Sequence, residues 1–365
     1  MSSTVNIWRR FDYLLFGVTG LLIAFGILMI RSATQGAIDP TLITRVPDQI
    51  QFAVLGLFIM LGLSLLDYRL LGGMSLWLYL LMVGLLVLVI FFGVEGDAGG
   101  KSWINLGIRI QPAEIAKVLI IVTLGYFLAR RGERHASLKT VFLSLLYLGV
   151  PAALIFIQPD LGMTTVFAFI WLVLIWAAGL RLRHIAIFAL VGVLAAPVVW
   201  SRMEPYQQSR ITTFVFPESD PDAYYNIRQS LISVGSGGVV GKGYTSGTQN
   251  RGRFLRVRHT DFIFSVISEE FGFVGSVSVL ALLGLVIMRI LNGARSAVDP
   301  FGSLICYGVA AFIFFQTVTA VGMNVGLVPV TGLTLPLISS GGTSLLSTMA
   351  GIGLAQSVIA RRRRV

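Results

Sequence analysis

Apolar residues run through the chain in long blocks that short polar stretches separate. A bilayer core of roughly 30 Å requires about 20 apolar residues of α-helix, with some tolerance for tilt. Ten blocks meet this requirement, so the pattern predicts an all-α polytopic membrane protein with ten transmembrane helices. The predicted spans are residues 13–30, 49–66, 75–93, 114–129, 140–157, 162–178, 184–200, 262–288, 302–324 and 343–360.

The basic residues in the connections predict the orientation of these helices. Cytoplasmic loops carry an excess of Lys and Arg. One side of the ten-helix arrangement holds 15 of the 28 basic residues, the short loops of the other side hold 5, and the remaining 8 lie in residues 201–261. We therefore expect both termini in the cytoplasm and a large extracytoplasmic loop, about residues 201–261, between helices 7 and 8. Of the 17 acidic residues, 13 then lie at or near the outer face.

Composition supports a membrane protein and excludes several kinds of site. Hydrophobic residues make up 55% of the chain and charged residues 12%, and the mean hydropathy is +0.83. Cys306 is the one cysteine, which excludes a disulfide framework, and three dispersed histidines argue against a zinc cluster. The net charge of +11 reflects orientation rather than nucleic-acid binding. Arg31 follows the first apolar block without a small-residue cleavage pattern, so we expect a retained span.

The long loop is expected to pack on the helical domain or to be partly mobile. Residues 201–261 are too few, and too rich in glycine and polar residues, to bury a core of their own. The sequence therefore predicts a single transmembrane domain over residues 1–365.

Residues 256–264, RVRHTDFIF, place charged side chains at the entrance of the eighth predicted helix. Asp261 stands directly before the apolar part of that helix. A carboxylate at this position commonly caps the free N–H groups of the first turn. The same helix dipole would keep the carboxylate ionised, as a general base requires. The residues alone leave both interpretations open.

The eighth helix carries two further carboxylates, Glu269 and Glu270. An ionisable group within a membrane helix is costly and usually faces a partner or an aqueous cavity. With helical spacing, Glu269 lies about 80° around the axis from Asp261 and about 12 Å deeper, whereas Glu270 lies on the opposite side. We therefore expect Glu269 to share a cavity with Asp261, and Glu270 to pair with another helix.

A glycine-rich segment, VGSGGVVGKGYTSGTQNRGRFLRVRHTDF, leads into this stretch and overlaps it. Its turns can expose backbone N–H groups, and Lys242, Arg256 and Arg258 add cations, which is a combination suited to phosphates. A loop that merely turns is the alternative. The segment is not a Walker A loop, because Gly243 stands where Ser or Thr would follow the lysine.

Further polar clusters are predicted at the same outer rim. GGKSWINLGIRIQPAEIAK contains Trp103, with Glu114 and Lys117 on one helical face, and IQPDLG places Asp160 in a turn. Singly, each could be an interfacial tryptophan, a surface ion pair or a capping turn, but together they indicate a polar cleft. The outward segment 325–342, which includes GLVPVTGLTLPLISSGG, is expected to fold back as a re-entrant stretch.

These stretches resemble the SEDS family, the shape, elongation, division and sporulation proteins. The matching motifs are KSWINLG with QPAEIAK, IQPDLG, RQSLISVGSGGVVGKGY, HTDFIFSVISEEFGFVG and GLVPVTGLTLPLISSGGTS, which cover nearly all ten predicted helices in order. The moderate length and the short basic tail favour a RodA-like over an FtsW-like member. Family members commonly have proline and an acidic residue where this chain has Arg256 and Val257.

The resemblance implies a peptidoglycan glycosyltransferase of the bacterial cytoplasmic membrane that polymerises lipid II at the outer face during cell elongation. It implies a class B penicillin-binding protein as partner, and no nucleic acid. Asp261 matches the essential acidic residue of the family, and Trp103, Glu114 and Lys117 match other functionally important positions. A lipid II flippase or transporter is the alternative, although such proteins usually place their sites near the midplane within repeats. A non-catalytic scaffold is a third interpretation.

The mechanism that we predict uses Asp261 as the base that deprotonates the 4-hydroxyl of the acceptor sugar. The hydroxyl displaces pyrophosphate at the donor anomeric carbon with inversion, and Lys117, Lys242 and loop arginines stabilise the leaving group. A divalent cation, Mg²⁺ or Mn²⁺, is the expected cofactor, and its ligands are not identified. The predicted substrate-binding residues are Trp103, Glu114, Lys117, Asp160, Lys242, Arg256, Arg258, His259, Glu269, Ser339 and Ser340.

Overall fold

The protein is an assembly of apolar helices with a lipid-compatible surface. A computed structural model describes residues 8–36, 40–95, 101–105, 107, 109–131, 138–179, 192, 194, 196–197, 199–255 and 257–362. Within these ranges, eight helices are long and apolar enough to cross a membrane. Large side chains such as Phe58, Trp77 and Phe91 are 69%, 70% and 75% exposed. Extensive apolar exposure of this kind marks a surface that contacts lipid or protein rather than water, so the predicted polytopic helical class is confirmed.

Among the described residues, nine long helices correspond to nine of the ten predicted spans. They are α1 (Tyr13–Thr34), α3 (Arg45–Leu65), α5 (Ser75–Phe92), α6 (Pro112–Ala129), α7 (Leu138–Ile157), α8 (Leu161–Ala177), α12 (Ile263–Ser296), α13 (Pro300–Asn324) and α14 (Gly342–Ala360). The α8 helix is apolar but, with 17 residues, shorter than the other spans. The predicted seventh span, residues 184–200, lies largely outside the described residues.

Shorter helices connect these elements. They are α2 (Pro40–Ile43), α4 (Tyr68–Gly73), α9 (Pro205–Val215), α10 (Pro221–Ser236) and α11 (Thr248–Arg251). Three of them, α9 to α11, lie in the loop 201–261, and α10 packs against α12. The loop therefore packs on the helical domain, as its composition predicted.

The centre of the fold is formed by α6, α13 and α14, whose residues are mostly buried. The α14 helix packs extensively along α3, and α13 packs against α12 and α8. In contrast, α5 exposes most of its apolar surface. The central helices therefore bring the chain segments at their ends close together.

A small antiparallel sheet, which the helical pattern did not predict, lies between α5 and α6. Its strands are β1 (Val94–Glu95), β2 (Lys101–Asn105) and β3 (Arg109–Ile110), in the order β1-β2-β3. Trp103 of β2 pairs with Val94, and Ile104 pairs with Ile110. The sheet leads the chain directly into α6 and thereby holds Trp103 near the start of that helix.

Residues 325–341 connect α13 to α14 without helical structure, and much of this segment is buried. Leu335, Leu337 and Ile338 are at most 3% exposed. The backbone of α1 approaches the segment closely, since a Cβ added to Gly26 would lie 2.7 Å from Ile338 Cα. The non-helical backbone of this segment is therefore enclosed by protein, as a re-entrant stretch requires, and its depth in the membrane stays a prediction.

Candidate active site

Asp261 lies in the turn that immediately precedes α12. The N-cap position of α12 is Phe262, one residue after the position that the sequence suggested. Asn324, the last residue of α13, accepts a hydrogen bond from the Ser265 N–H at 3.0 Å and donates one to the Asp261 carbonyl at 2.8 Å. Asn324 therefore caps the first turn of α12 and fixes the backbone of Asp261, and the N-cap residue of the helix is Phe262 rather than Asp261.

The buried segment between α13 and α14 holds the other side of this turn. Ser339 Oγ donates to the Thr260 carbonyl at 2.8 Å and accepts from the Leu335 N–H at 2.9 Å. The Ser340 N–H donates to the His259 carbonyl at 2.9 Å. These contacts place Ser339, Ser340 and His259 beside Asp261, where they support the turn; a substrate contact by any of them stays a prediction.

Arg210 and Asp261 border the same space beside Gly332. A Cβ added to Gly332 would lie 3.7 Å from Arg210 Nη1 and 4.0 Å from Asp261 Oδ2. Gly332 has a φ of +75°, which is a left-handed conformation that glycine adopts readily. An acid and a cation thus both lie next to Gly332, where a side chain would contact each of them.

Sequence reasoning did not select Arg210, although a local signal was present. Glu204 and Gln207 form a capping box, and Pro205 occupies the first turn of α9, which is a recognisable helix start. On that helix Arg210 stacks over the Tyr206 ring at 4.9 Å, and Tyr206 Oη donates to the Pro159 carbonyl at 3.0 Å. The α9 helix is thereby attached to the turn between α7 and α8.

Asp160 occupies that turn and is the N-cap of α8. Its Oδ1 accepts from the Met163 N–H at 2.9 Å, and its Oδ2 accepts from Gln111 Nε2 at 2.7 Å. Burial raises the pKa of Asp160 to about 6; the nearby Glu114 carboxylate adds to the rise, and the hydrogen bonds and Arg210 oppose it. Asp160 is therefore both a helix cap and a member of the charged group around Arg210.

Glu114 and Lys117 form a buried ion pair at the start of α6. Lys117 Nζ lies 2.5 Å from Glu114 Oε2, and the two side chains are 0% and 5% exposed. Gln316 accepts a further hydrogen bond from Lys117 at 3.1 Å, and Ser347 donates to Glu114 at 2.9 Å. The surface ion pair considered for these residues is therefore wrong, because the pair is enclosed by α13 and α14.

Glu269 does not have the surroundings that the helical projection predicted. It is fully buried, and its Oε1 accepts from Lys242 Nζ at 2.9 Å and from the Gln249 N–H at 3.0 Å. A cavity shared with Asp261 is thus not the environment of Glu269, because the glycine-rich segment folds over its carboxylate. Glu270 accepts from Ser32 of α1 at 2.5 Å, which confirms the predicted pairing with another helix.

The cations of the glycine-rich segment are less available than the sequence suggested. Lys242 donates to Ser236, Thr248 and Glu269. Arg258 is 5% exposed and donates to the Ala33 carbonyl of α1 and to the Leu255 carbonyl, and burial lowers its pKa, with Arg253 adding to the effect. Arg256 lies outside the described residues.

Comparisons with known proteins identify the family of this chain. The FTSW_RODA_SPOVE model, described as cell cycle protein, matches residues 12–364. The chain is 37% identical over its full length to 98% of peptidoglycan glycosyltransferase MrdB of Escherichia coli. It superposes with a TM-score of 0.82 and 32% identity on a chain from a peptidoglycan synthase complex that coordinates polymerization and crosslinking, with 97% of this chain and 99% of that chain covered.

A second solved structure is similar over the whole length. Thermus thermophilus rod shape determining protein RodA aligns with a TM-score of 0.73 and 31% identity, covering 98% of this chain and 99% of its own. Sequence and fold thus match the same group of proteins from end to end. The chain therefore belongs to the FtsW, RodA and SpoVE family of cell cycle proteins, the SEDS family that its motifs resemble.

Proposed function

We propose that this protein is a RodA-like peptidoglycan glycosyltransferase that polymerises lipid II into β-1,4-linked glycan strands. The observation that carries the proposal is that Asp261 and Arg210 both lie within 4.0 Å of the position that a Cβ on Gly332 would occupy. Glycosyl transfer from a lipid pyrophosphate requires a base for the attacking hydroxyl and positive charge for the leaving group. This pair provides one of each.

In the proposed reaction Asp261 accepts the proton of the acceptor 4-hydroxyl. The oxygen forms a bond to the donor anomeric carbon as the bond from that carbon to the pyrophosphate oxygen breaks. The electron pair leaves with the pyrophosphate, and an α-linked donor gives a β-linked product. A single displacement requires one base and no covalent carboxylate intermediate, so one aspartate suffices.

Arg210 is the cation that we assign to the leaving group in place of Lys242. A guanidinium can bind two phosphate oxygens at once, and its stacking on Tyr206 limits its movement. Arg45 begins α3 one turn before Gln49, which contacts Ser339 and Gly341, so Arg45 is a second candidate on the same helical face. Lys117 instead neutralises Glu114 within the fold.

A divalent cation, Mg²⁺ or Mn²⁺, would contribute further positive charge at the pyrophosphate when bound. Within the described ranges, no group of three or more His, Cys, Asp or Glu side chains could hold a metal ion. Mg²⁺ is commonly held by one or two carboxylates together with the phosphates of a substrate, and we propose that a cation at this site would be held in that way. Asp261 and Asp160 are the carboxylates near Arg210 that could contribute.

The proposed topology has ten spans over a single domain of residues 1–365, with both termini cytoplasmic. Asp261 and Asp160 lie just before the starts of α12 and α8, and Glu114 lies in the first turn of α6, on the end of the fold where α13 finishes. The opposite ends of these helices carry ion pairs such as Arg289 with Asp12 at 2.6 Å. The excess of basic residues on that second side supports its cytoplasmic location, and we therefore propose that the site faces outward.

We further propose that the protein works with a class B penicillin-binding protein. The similar chain in the peptidoglycan synthase complex belongs to an assembly that joins polymerization with crosslinking. A transpeptidase partner would use the glycan as it emerges. Lipid II, the surrounding membrane lipid and this partner are the expected ligands, and nucleic acid is not.

The direct test is purified protein with labelled lipid II in detergent, with and without the transpeptidase partner. A polymerase yields a ladder of glycans in at least one of the two conditions. A flippase moves labelled lipid II between the leaflets of vesicles but leaves its length unchanged. A scaffold does neither, so either of those results would refute the proposed activity.

A further inference from the structure

The α12 helix is broken at Gly272, and a loop occupies the break. Gly272 has φ 64° and ψ −159° inside the helix, so the regular pattern of hydrogen bonds from residue i to i−4 is interrupted there. Residues 237–243 of the glycine-rich segment supply hydrogen-bond partners for the backbone groups that the break leaves free. The four hydrogen bonds run from Phe273 N to Gly238 O at 2.9 Å, Val274 N to Val239 O at 3.0 Å, Lys242 N to Glu269 O at 3.0 Å and Gly243 N to Glu270 O at 2.9 Å.

Glycine is required where the two backbones meet. Gly241 and Gly272 have φ values of +81° and +64°, and a Cβ on Gly272 would lie 2.6 Å from the Val239 carbonyl oxygen. Any side chain at position 272 would thus strain the backbone and push the loop away. Gly241 and Gly272 therefore allow the close backbone pairing between this segment and α12.

Lys242 and Glu269 join the same two elements through their side chains. Lys242 Nζ donates to Glu269 Oε1 at 2.9 Å and to Ser236 Oγ and Thr248 Oγ1 at 2.8 Å each. An ammonium group has three N–H donors, and these contacts use all of them. Glu269 is fully buried, and its Oε2 accepts from the Asn250 N–H at 3.3 Å.

The chain between Lys242 and Asp261 is held at further points by the same group. Asn250 Nδ2 donates to the Ser32 carbonyl and to Glu270 Oε1, each at 3.1 Å. Arg258 donates to the Ala33 carbonyl. Both carboxylates of α12 therefore bind the segment that delivers Asp261 to the start of α12, and α1 completes the enclosure.

We propose that Lys242 and Glu269 are positioning residues for Asp261. Their ion pair at the break in α12 fixes the segment 242–261, and Lys242 acts through Glu269 rather than on the pyrophosphate. This inference rests on the proposed function, because it assigns a role toward the base of that reaction. A general base must lie within hydrogen-bond reach of the proton that it removes, so a displacement of about 1 Å costs about 10²-fold in rate.

Kinetics with matched variants separates positioning from substrate binding. We expect Lys242→Met and Glu269→Gln each to lower kcat by about 10²-fold with little change in the KM for lipid II. The double variant should be no slower than either single variant, because both remove one interaction. Lys242→Arg, which can still pair with Glu269, should retain most of the activity. Gly272→Ala should show the same loss of kcat without a change of charge.

Hydrogen exchange tests the inference without relying on activity. Amides of residues 248–261 should exchange faster in Lys242→Met and in Glu269→Gln than in the wild type, and those of α14 should not. Size-exclusion profiles and thermal midpoints in detergent identify any variant that fails to fold, and Thr248→Val then provides a milder change at the same contact. Faster exchange confined to residues 248–261 supports the inference.

Several outcomes would overturn it. A Lys242→Met variant with a raised KM, beside a Glu269→Gln variant with normal kinetics, would show that Lys242 binds substrate. Unchanged exchange in both variants would show that the pair does not fix the segment. A wild-type protein that makes no glycan would refute the proposed function, whereas the exchange measurement would still decide the positioning role.

Discussion

The buried pair of Glu114 and Lys117 provides a quantitative test of the site. The distance between Lys117 Nζ and Glu114 Oε2 is 2.5 Å, and neither side chain is more than 5% exposed. Replacing one partner of such a pair leaves an unpaired charge in the interior, which costs about 3–5 kcal/mol. Lys117→Met also removes the cation over the Phe312 ring at 4.6 Å, worth up to about 2 kcal/mol when desolvated.

The expected result is a strongly non-additive cycle. Lys117→Met and Glu114→Gln should each lower the thermal midpoint of the protein in detergent substantially. The double variant should recover most of the loss, because no buried charge then lacks its partner, with a coupling of about 3 kcal/mol. Lys101→Met is the matched control, since Lys101 is exposed and its replacement should change stability by about 0.5 kcal/mol at most.

Two results would refute this reasoning. If Lys117→Met were as stable as Lys101→Met, the interior would not contain a charged pair. If the double variant lost the sum of the two single losses, the residues would act independently. Polymerisation assays on the stable double variant would then show whether the pair also serves the reaction.

Three further predictions concern the surroundings of Asp261. Gly332→Ala should lower stability by about 1 kcal/mol and slow polymerisation, because φ is +75° there; Gly284→Ala, which meets nothing within 4 Å, is the control in the same assays. Arg210→Met should lower kcat by about 10²-fold. Arg210→Lys should retain part of the wild-type kcat if the positive charge contributes more to the reaction than the stacking on Tyr206 does. The pKa of Asp160, about 6 in the folded protein, means that the folded state holds this proton more tightly than the unfolded state. The wild type should therefore lose stability relative to Asp160→Asn as the pH rises from about 4 to about 6, which thermal midpoints across that range would measure.

The positions of the spans could be predicted because the bilayer imposes a local rule on sequence. Each helix must be apolar over its own length. A span can therefore be predicted without knowing which helices pack against it. The short strands around Trp103 were missed for the opposite reason. Segments of two to five residues form a sheet only through their pairing with one another, which local hydropathy does not report.

The site could be predicted only in part, because its contacts depend on how distant segments of the chain pack together. The placement of Glu269 relied on one continuous helix from Asp261, but α12 begins at Ile263 and a loop closes over Glu269. The partner of Glu270 was assigned correctly to another helix, since the two carboxylates point to different sides. Arg210 was overlooked because the loop 201–261 was treated as one unit, although a helix start at Glu204 was readable in it.

The central claim is that Asp261 is the base for glycan polymerisation, and a comparison of three proteins tests it most directly. The wild type, Asp261→Asn and Asp261→Glu are purified and given labelled lipid II under identical conditions, and the initial rate of glycan formation is measured. We predict that Asp261→Asn folds with the thermal midpoint of the wild type but forms no glycan, because an amide cannot accept the proton. Asp261→Glu, which keeps a base in a displaced position, should retain a small rate. A glycan ladder formed by Asp261→Asn at close to the wild-type rate would contradict the assignment.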